Sequence, residues 1–415
     1  MDYISIFITI IFALFAVDII NEIGISYYLM PSIQTFRKRH VPLFGDPKDV
    51  LRKWYHLLSQ IKGVYSFEKY LEMNFMLSSD EDHRCVKKGN LDSFIGWVLY
   101  ACKLDKIDKD KKEEVVQIRD EVLSLIEYSM EDGYNSKIRH FNSDHEEVKH
   151  CYRPILLYGL FSIVETYYYY NYYYKYGFRY KKHGDTTPYY IKIGSSEKPP
   201  IVLLHGITSG WFNYYNFITA LIQDKDRTII LMDYSNIKTC SINVNVLGPM
   251  EYTEHFENIL NQYDISKVCL IGHSWGTFTA GWIARLAPNR IDSLILVDPI
   301  AINFLLPDST VEIVYKPPKS KMDWLIYYFV RHALNVSYTI HRHFTWWNET
   351  LFLQDIKDLN VLVCIGGKDE ILDGPGAREI VNVSVENHKY IYRENMGHNA
   401  FINTDESLQE LLGKI

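Results

Sequence analysis

Residues 266–288 read SKVCLIGHSWGTFTAGWIARLAP, and the fold turns on how this stretch is divided. Its first half is a continuous apolar run, the pattern of a strand covered on both faces. Its second half suits a helix. Between them, Gly272-His273-Ser274-Trp275-Gly276 spells G-x-S-x-G. That motif is weak alone, but its position lends it weight, because Ser274 falls where a strand must turn sharply into a helix. Such a turn forces the serine backbone into a strained region. A side chain at position 272 or 276 would collide with the neighbouring strand or helix, and glycine meets that demand. The helix that follows aims its first N–H groups at the site, where they favour developing negative charge.

Outward from this point the chain alternates. PPIVLLHG (199–206), TIILMDY (228–234), IDSLILVDP (291–299), NVLVCIGG (360–367) and HKYIYREN (388–395) read as strands. SGWFNYYNFITALIQ (209–223), MEYTEHFENILNQYD (250–264), PGAREIVNVS (375–384) and FINTDESLQELLGKI (401–415) read as helices between or after them. Strands rich in Val, Ile and Leu that alternate with helices predict a mostly parallel sheet covered on both faces. FRYKK (178–182) and PYYIKIG (188–194) around HGDTT predict a leading hairpin. The interval from about 300 to 358 breaks the rhythm and is expected to be a helical cap inserted into the α/β fold.

A serine hydroxyl needs a base beside it. The chain has 15 histidines, so position must choose among them. His398, in ENMGHNAF beyond the last strand, lies where strand ends gather at one sheet edge, with Gly397 giving the loop freedom. The base in turn needs an acceptor for its other ring N–H. Asp369 in GGKDEIL follows a strand, and Ser, Asp, His is then the chain order. Asp298, at the end of LVDP, and Glu370 are rivals, Asp298 being more simply a helix or loop cap. An oxyanion requires two donors: the Trp275 N–H, after the nucleophile, and the Ile207 N–H in the loop after VLLHG. His205 in that loop is expected to hold it by a hydrogen bond.

These features resemble the α/β-hydrolase superfamily, in particular its lipase/esterase-like branch with an HG loop and a GHSWG elbow. The resemblance covers roughly residues 177–415. It implies ester, thioester or amide cleavage through an acyl-serine, with no metal or organic cofactor. The serine at the elbow separates the chain from fold relatives that use an aspartate nucleophile, the epoxide hydrolases and haloalkane dehalogenases. Transfer of the acyl group to an alcohol on the same triad, or a non-catalytic binding scaffold of this fold, are the alternatives.

Aromatics crowd the cap: Trp324, Tyr327, Tyr328, Phe329, Phe344, Trp346, Trp347 and Phe352. Packing explains them, and so does an apolar acyl pocket; a lipid or other small ester is the expected substrate. His332, His341 and His343 lack partnering carboxylates or cysteines, so no metal site is expected there.

The resemblance does not extend to the N-terminal portion, residues 1–176. Tyr3 to Val17 carries no charge, then Asp18 interrupts and IINEIGISYYLM continues. Fifteen clean residues fall short of the roughly 20 that cross a bilayer upright, so residues 1–30 are expected to be an anchor, spanning or interfacial. No basic residue precedes the apolar run, which suits a signal peptide poorly. Arg37, Lys38, Arg39 and His40 follow it and predict a cytoplasmic body if it spans. Residues 31–176 are expected to be a helical extension, in which KWYHLLSQIKGVYSFEKYLEM (53–73) and EEVVQIRDEVLSLIEYSM (113–130) carry apolar residues at mixed three- and four-residue spacings. In it, KLDKIDKDKKEE (103–114) reads as a solvated helix face, and the tyrosine-rich helix 154–176 suits packing on the next domain or headgroup depth. A net charge of −7 over 415 residues argues against nucleic acid. Six cysteines without a CxxC pair suggest neither zinc knuckle nor disulfide framework, Cys269 and Cys364 reading as buried thiols. Asn335, Asn348 and Asn382 begin glycosylation triplets.

Overall fold

The computed structural model describes residues 3–35, 41–182, 187–223, 226–384 and 389–414. The basic run Arg37–His40 and the predicted turn at 183–186 lie outside them.

Eight strands form one sheet: β1 (Arg179–Lys181), β2 (Tyr189–Lys192), β3 (Ile201–Leu204), β4 (Ile229–Met232), β5 (Val268–His273), β6 (Ile291–Val297), β7 (Val361–Gly366) and β8 (Lys389–Arg393). Their order is β1-β2-β4-β3-β5-β6-β7-β8. The leading hairpin is antiparallel, and β2 pairs antiparallel with β4. From β4 through β3 to β8 every pairing is parallel. All six residues of β5 are buried, which is why that strand shows no alternation: in a sheet covered on both faces each side chain meets a helix layer. The expected mostly parallel α/β fold is thus present. FINTDESLQELLGKI is not one helix but two, Ala400–Asn403 and Asp405–Leu412, parted at Thr404.

Between β6 and β7 the chain runs through short helices from Ile300 to Ile356, the predicted insertion. Before the sheet come α1 (Tyr3–Gly24), α2 (Pro47–Gln60), α3 (Phe67–Asn74), α4 (Lys88–Tyr100), α5 (Lys109–Ile126) and α6 (Ile155–Tyr176). The stretch 53–73 is two helices, because Ser66 starts α3 by accepting from the Lys69 N–H. The charge run makes one 3-10 turn, Leu104–Lys106, and is α-helical only from Lys109.

The extension does not keep its core to itself. Trp54, Tyr55, Leu71, Ile95 and Ile118 pack in one cluster with Leu306, Trp346, Trp347 and Phe352 of the insertion, and with Ile380. Three of the eight aromatics noted in the insertion, Trp346, Trp347 and Phe352, therefore serve to hold the extension. The helix α6 has two opposed faces, as a period of 3.6 residues requires. Phe161, Glu165, Tyr168 and Tyr172 meet the body: Phe161 stacks on Phe212, Glu165 pairs with Lys238, and the Tyr172 hydroxyl donates to the Trp211 carbonyl at 3.1 Å. Leu156, Leu160, Ile163, Tyr167, Tyr170 and Tyr174 face outward.

One helix among the described residues, Phe12–Gln34 at a mean hydropathy of 1.4, is long and apolar enough to cross a membrane. Helicity continues to Gln34, past the boundary expected at residue 30. The interrupting charge has a partner: buried Asp18 accepts the Ile155 N–H at the start of α6, a favourable place for a carboxylate. All six cysteines are free thiols, with Cys269 and Cys364 buried. Two glycosylation triplets are inaccessible. The Asn335 amide donates to the carbonyls of Ser235, Asn236 and Lys238, and Asn348 is tied to the backbone of Val41 and Leu43.

Candidate active site

Ser274 sits at φ 52°, in the left-handed region. A non-glycine residue is held there only where its surroundings over-determine it, and the flanking glycines show how. A Cβ on Gly276 would lie 2.3 Å from the Leu204 carbonyl oxygen of β3, and one on Gly272 would lie 2.8 Å from the Ala280 Cβ. The strand can therefore turn into the helix Gly276–Leu286 (α7) without colliding with β3, and the serine is left at the carboxyl edge of the sheet.

The structure brings the three predicted side chains together. His398 Nε2 lies 2.9 Å from Ser274 Oγ, and His398 Nδ1 lies 2.7 Å from Asp369 Oδ2. The carboxylate accepts at Nδ1, so that nitrogen carries the proton and Nε2 is left to accept from the serine hydroxyl. Asp369 is itself anchored, its Oδ1 accepting the Ile371 N–H at 2.8 Å and the Leu372 N–H at 3.0 Å. Burial disfavours a charged His398, but the charge of Asp369 and the hydrogen bond to it outweigh that and push the imidazole up to about 9.

The two rival carboxylates occupy supporting places. Glu370 Oε2 accepts the His398 backbone N–H at 3.0 Å. A Cβ on Gly397 would lie 2.6 Å from the Glu370 carboxylate, and φ at 397 is not among the positive values. Gly397 thus supplies room for Glu370 rather than the expected freedom. Fully buried Asp298 accepts the Asn399 N–H at 2.8 Å, holding the histidine loop from its other side.

Of the two oxyanion candidates, neither the Ile207 nor the Trp275 N–H has an acceptor among the described residues. Their neighbours do: the Gly206 N–H donates to the Tyr214 hydroxyl at 2.7 Å, and the Thr208 N–H to the Ile237 carbonyl at 3.3 Å. Position 207 is the free donor of that loop. A Cβ on Gly206 would come within 2.8 Å of the Ser274 Cβ, so the loop passes directly against the serine. His205 holds the loop from behind, its Nδ1 2.7 Å from the Gly206 carbonyl and its Nε2 accepting the Tyr234 N–H at 2.9 Å.

Sequence reasoning missed Tyr214 and His273. The Tyr214 oxygen accepts from Gly206, so its proton can be given to His273 Nδ1, 2.6 Å away. Burial lowers the His273 imidazole, against the pull of Asp298, whose Oδ2 is 3.4 Å from Nε2. This chain ties the oxyanion loop to the elbow. Tyr214 lies in an aromatic helical run with no periodic or spacing signal to single it out. His273, Asp298 and His398 place ligand-type atoms within 4.8 Å of one another. Both ring nitrogens of His398 already face Asp369 and Ser274, however, so a cation could bind there only by displacing one of those bonds.

An open, mostly parallel sheet with a serine on a glycine-flanked turn at its edge defines the α/β-hydrolase class. The family model described as α/β hydrolase fold matches residues 199–346, and the domain built around those residues has that fold. It is 32% identical over 110 residues to an sn-1-specific diacylglycerol lipase, ABHD11, of Xenopus laevis, covering 26% of this chain and 35% of that protein. It is 33% identical over 113 residues to a proline iminopeptidase of Lactobacillus helveticus, covering 26% and 38%. The chain thus spans little more than a third of the length of these curated relatives. Among solved structures, naproxen esterase of Bacillus subtilis superposes with a TM-score of 0.42 at 16% identity, covering 60% of this chain and 96% of that one.

Proposed function

We propose that this protein is a membrane-associated serine hydrolase that cleaves an ester of an apolar acyl group. Ser274 is the nucleophile, His398 the base and Asp369 the residue that orients and stabilises the imidazolium. The single observation that carries this reading is the continuous bonding from Asp369 through His398 to Ser274 at 2.7 and 2.9 Å. As the hydroxyl attacks the carbonyl, His398 takes its proton. The carbonyl oxygen becomes an oxyanion, and the N–H groups of Ile207 and Trp275 receive it. Collapse expels the alcohol, which takes the proton from His398. Water then repeats the cycle on the acyl-serine and releases the acid. No metal or organic cofactor takes part in these steps.

Ester specificity is supported by the carbon-lined space beside Trp275 and by relatives that include a diacylglycerol lipase. Membrane association is supported by the largely exposed apolar helix α1 and the outward apolar stripe of α6, to which Asp18 ties it. Tyrosines in that stripe suit headgroup depth. We propose residues 1–30 as the anchor, 31–176 as the helical extension and 177–415 as the hydrolase domain with its inserted cap, the body lying on the cytoplasmic side. Hydrolysis of p-nitrophenyl butyrate tests the chemistry: turnover by the wild type and its loss by about 10⁴-fold or more in Ser274→Ala is the expected result. Undiminished turnover in that variant removes the serine from its role.

A further inference from the structure

The expected acyl pocket has a second half that the α/β domain does not build. Beside the elbow lies an apolar cavity walled by Trp275, Phe278, Ile300, Phe304 and Phe344. A second cavity lies deeper, between the insertion and the N-terminal extension, walled by Leu51, Tyr70, Phe94, Val98 and Trp346. The two share four wall residues: Ser143, Phe304, Thr310 and Phe344. Their common partition is the Phe304–Phe344 ring pair, with centroids 4.6 Å apart. Two aromatic side chains in contact can turn aside at far less cost than a backbone wall.

Three polar groups around the deeper cavity are already paired within the protein. The Trp346 indole N–H donates to the Val98 carbonyl at 2.9 Å, the Trp97 indole N–H to Asp144 at 2.7 Å, and the Tyr70 hydroxyl to that of Tyr55 at 3.4 Å. What the walls offer a ligand is therefore mostly carbon. A space of this kind gains from an apolar occupant and offers water few partners.

Resting on the ester-hydrolase reading, we infer that the two cavities are one acyl channel. It runs from Ser274 past Trp275 and through the Phe304–Phe344 partition into the N-terminal extension, which thereby selects long-chain acyl substrates. The occupant is the unbranched hydrocarbon chain of the ester whose carbonyl sits at Ser274. The helical extension is then the far wall of the substrate site. Ser143, on a half-buried loop where the cavities meet, is the point at which bulk closes the channel without touching the triad.

The test is a chain-length series of p-nitrophenyl esters on the full-length protein and its Ser143→Trp and Val98→Phe variants. Expected in both variants is a loss of ten-fold or more in kcat/KM for the dodecanoate and hexadecanoate esters, with the butyrate within two-fold of wild type in Val98→Phe, whose side chain walls the second cavity alone. An unchanged profile, or an equal loss at every length, overturns the channel. A second measurement separates failure of the channel from failure of the hydrolase reading: palmitate binding by Ser274→Ala protein, with and without Ser143→Trp. Retention abolished by the tryptophan upholds the channel whatever the turnover, and equal retention overturns it.

Discussion

Asp369 does two things to His398, fixing which nitrogen carries the proton and raising the imidazole above its ordinary range to about 9. The sign of the effect on rate follows. Only neutral His398 can accept the serine proton, so kcat/KM for a neutral ester rises with pH along a limb above 6.5, approaching about 9. Asp369→Asn removes the charge. Its limb moves down toward the ordinary imidazole value, while kcat falls by about 10⁴-fold because the wrong tautomer is favoured. A pH–rate profile of both proteins checks this, and a limb that stays in place would mean that Asp369 is not the charge His398 feels. Ser274 and His398 were legible in sequence because a strand end and a chain order locate them. Their carboxylate neighbours were less so: whether 298, 369 or 370 faces the ring depends on loop conformations that no periodicity encodes.

Single elements meet here through one hydroxyl. Tyr214 joins the loop after β3 to the end of β5 by accepting from Gly206 and facing His273. Tyr214→Phe leaves two buried polar groups unpaired, each costing about 1–3 kcal/mol, and frees the loop that carries the Ile207 N–H. A melting temperature lowered by several degrees, with kcat reduced more than KM is changed, is the expected outcome for the purified variant. Unaltered stability would show that water replaces the phenol without loss. The strands themselves could be read directly, since a sheet buried on both faces leaves uninterrupted Val, Ile and Leu runs. The break within 53–73 and the late start of α5 escaped, because a cap such as Ser66 acts over three residues inside a pattern that spans twenty.

Taken whole, the molecule is less divisible than its composition suggests. Trp346, Trp347 and Phe352 belong by sequence to the insertion and by packing to the extension, a long-range pairing that a one-dimensional pattern does not contain. Likewise α1 is joined to α6 through Asp18. Deleting residues 1–30 is expected to release the protein from carbonate-washed membranes and to lower its thermal stability by roughly the 1 kcal/mol of a lost helix cap. Fractionation of full-length and truncated chains reads the first effect, and retention of the truncated chain would assign membrane binding to the outward stripe of α6 instead.

The central claim is that Ser274 is the residue acylated during turnover. Reaction with a fluorophosphonate followed by mass spectrometry of the digested protein tests it without reference to any substrate. The account predicts one adduct, on the peptide that carries Ser274, formed faster as pH rises toward 9 and absent from His398→Ala. An adduct on another residue, or equal labelling of Ser274→Ala, contradicts it.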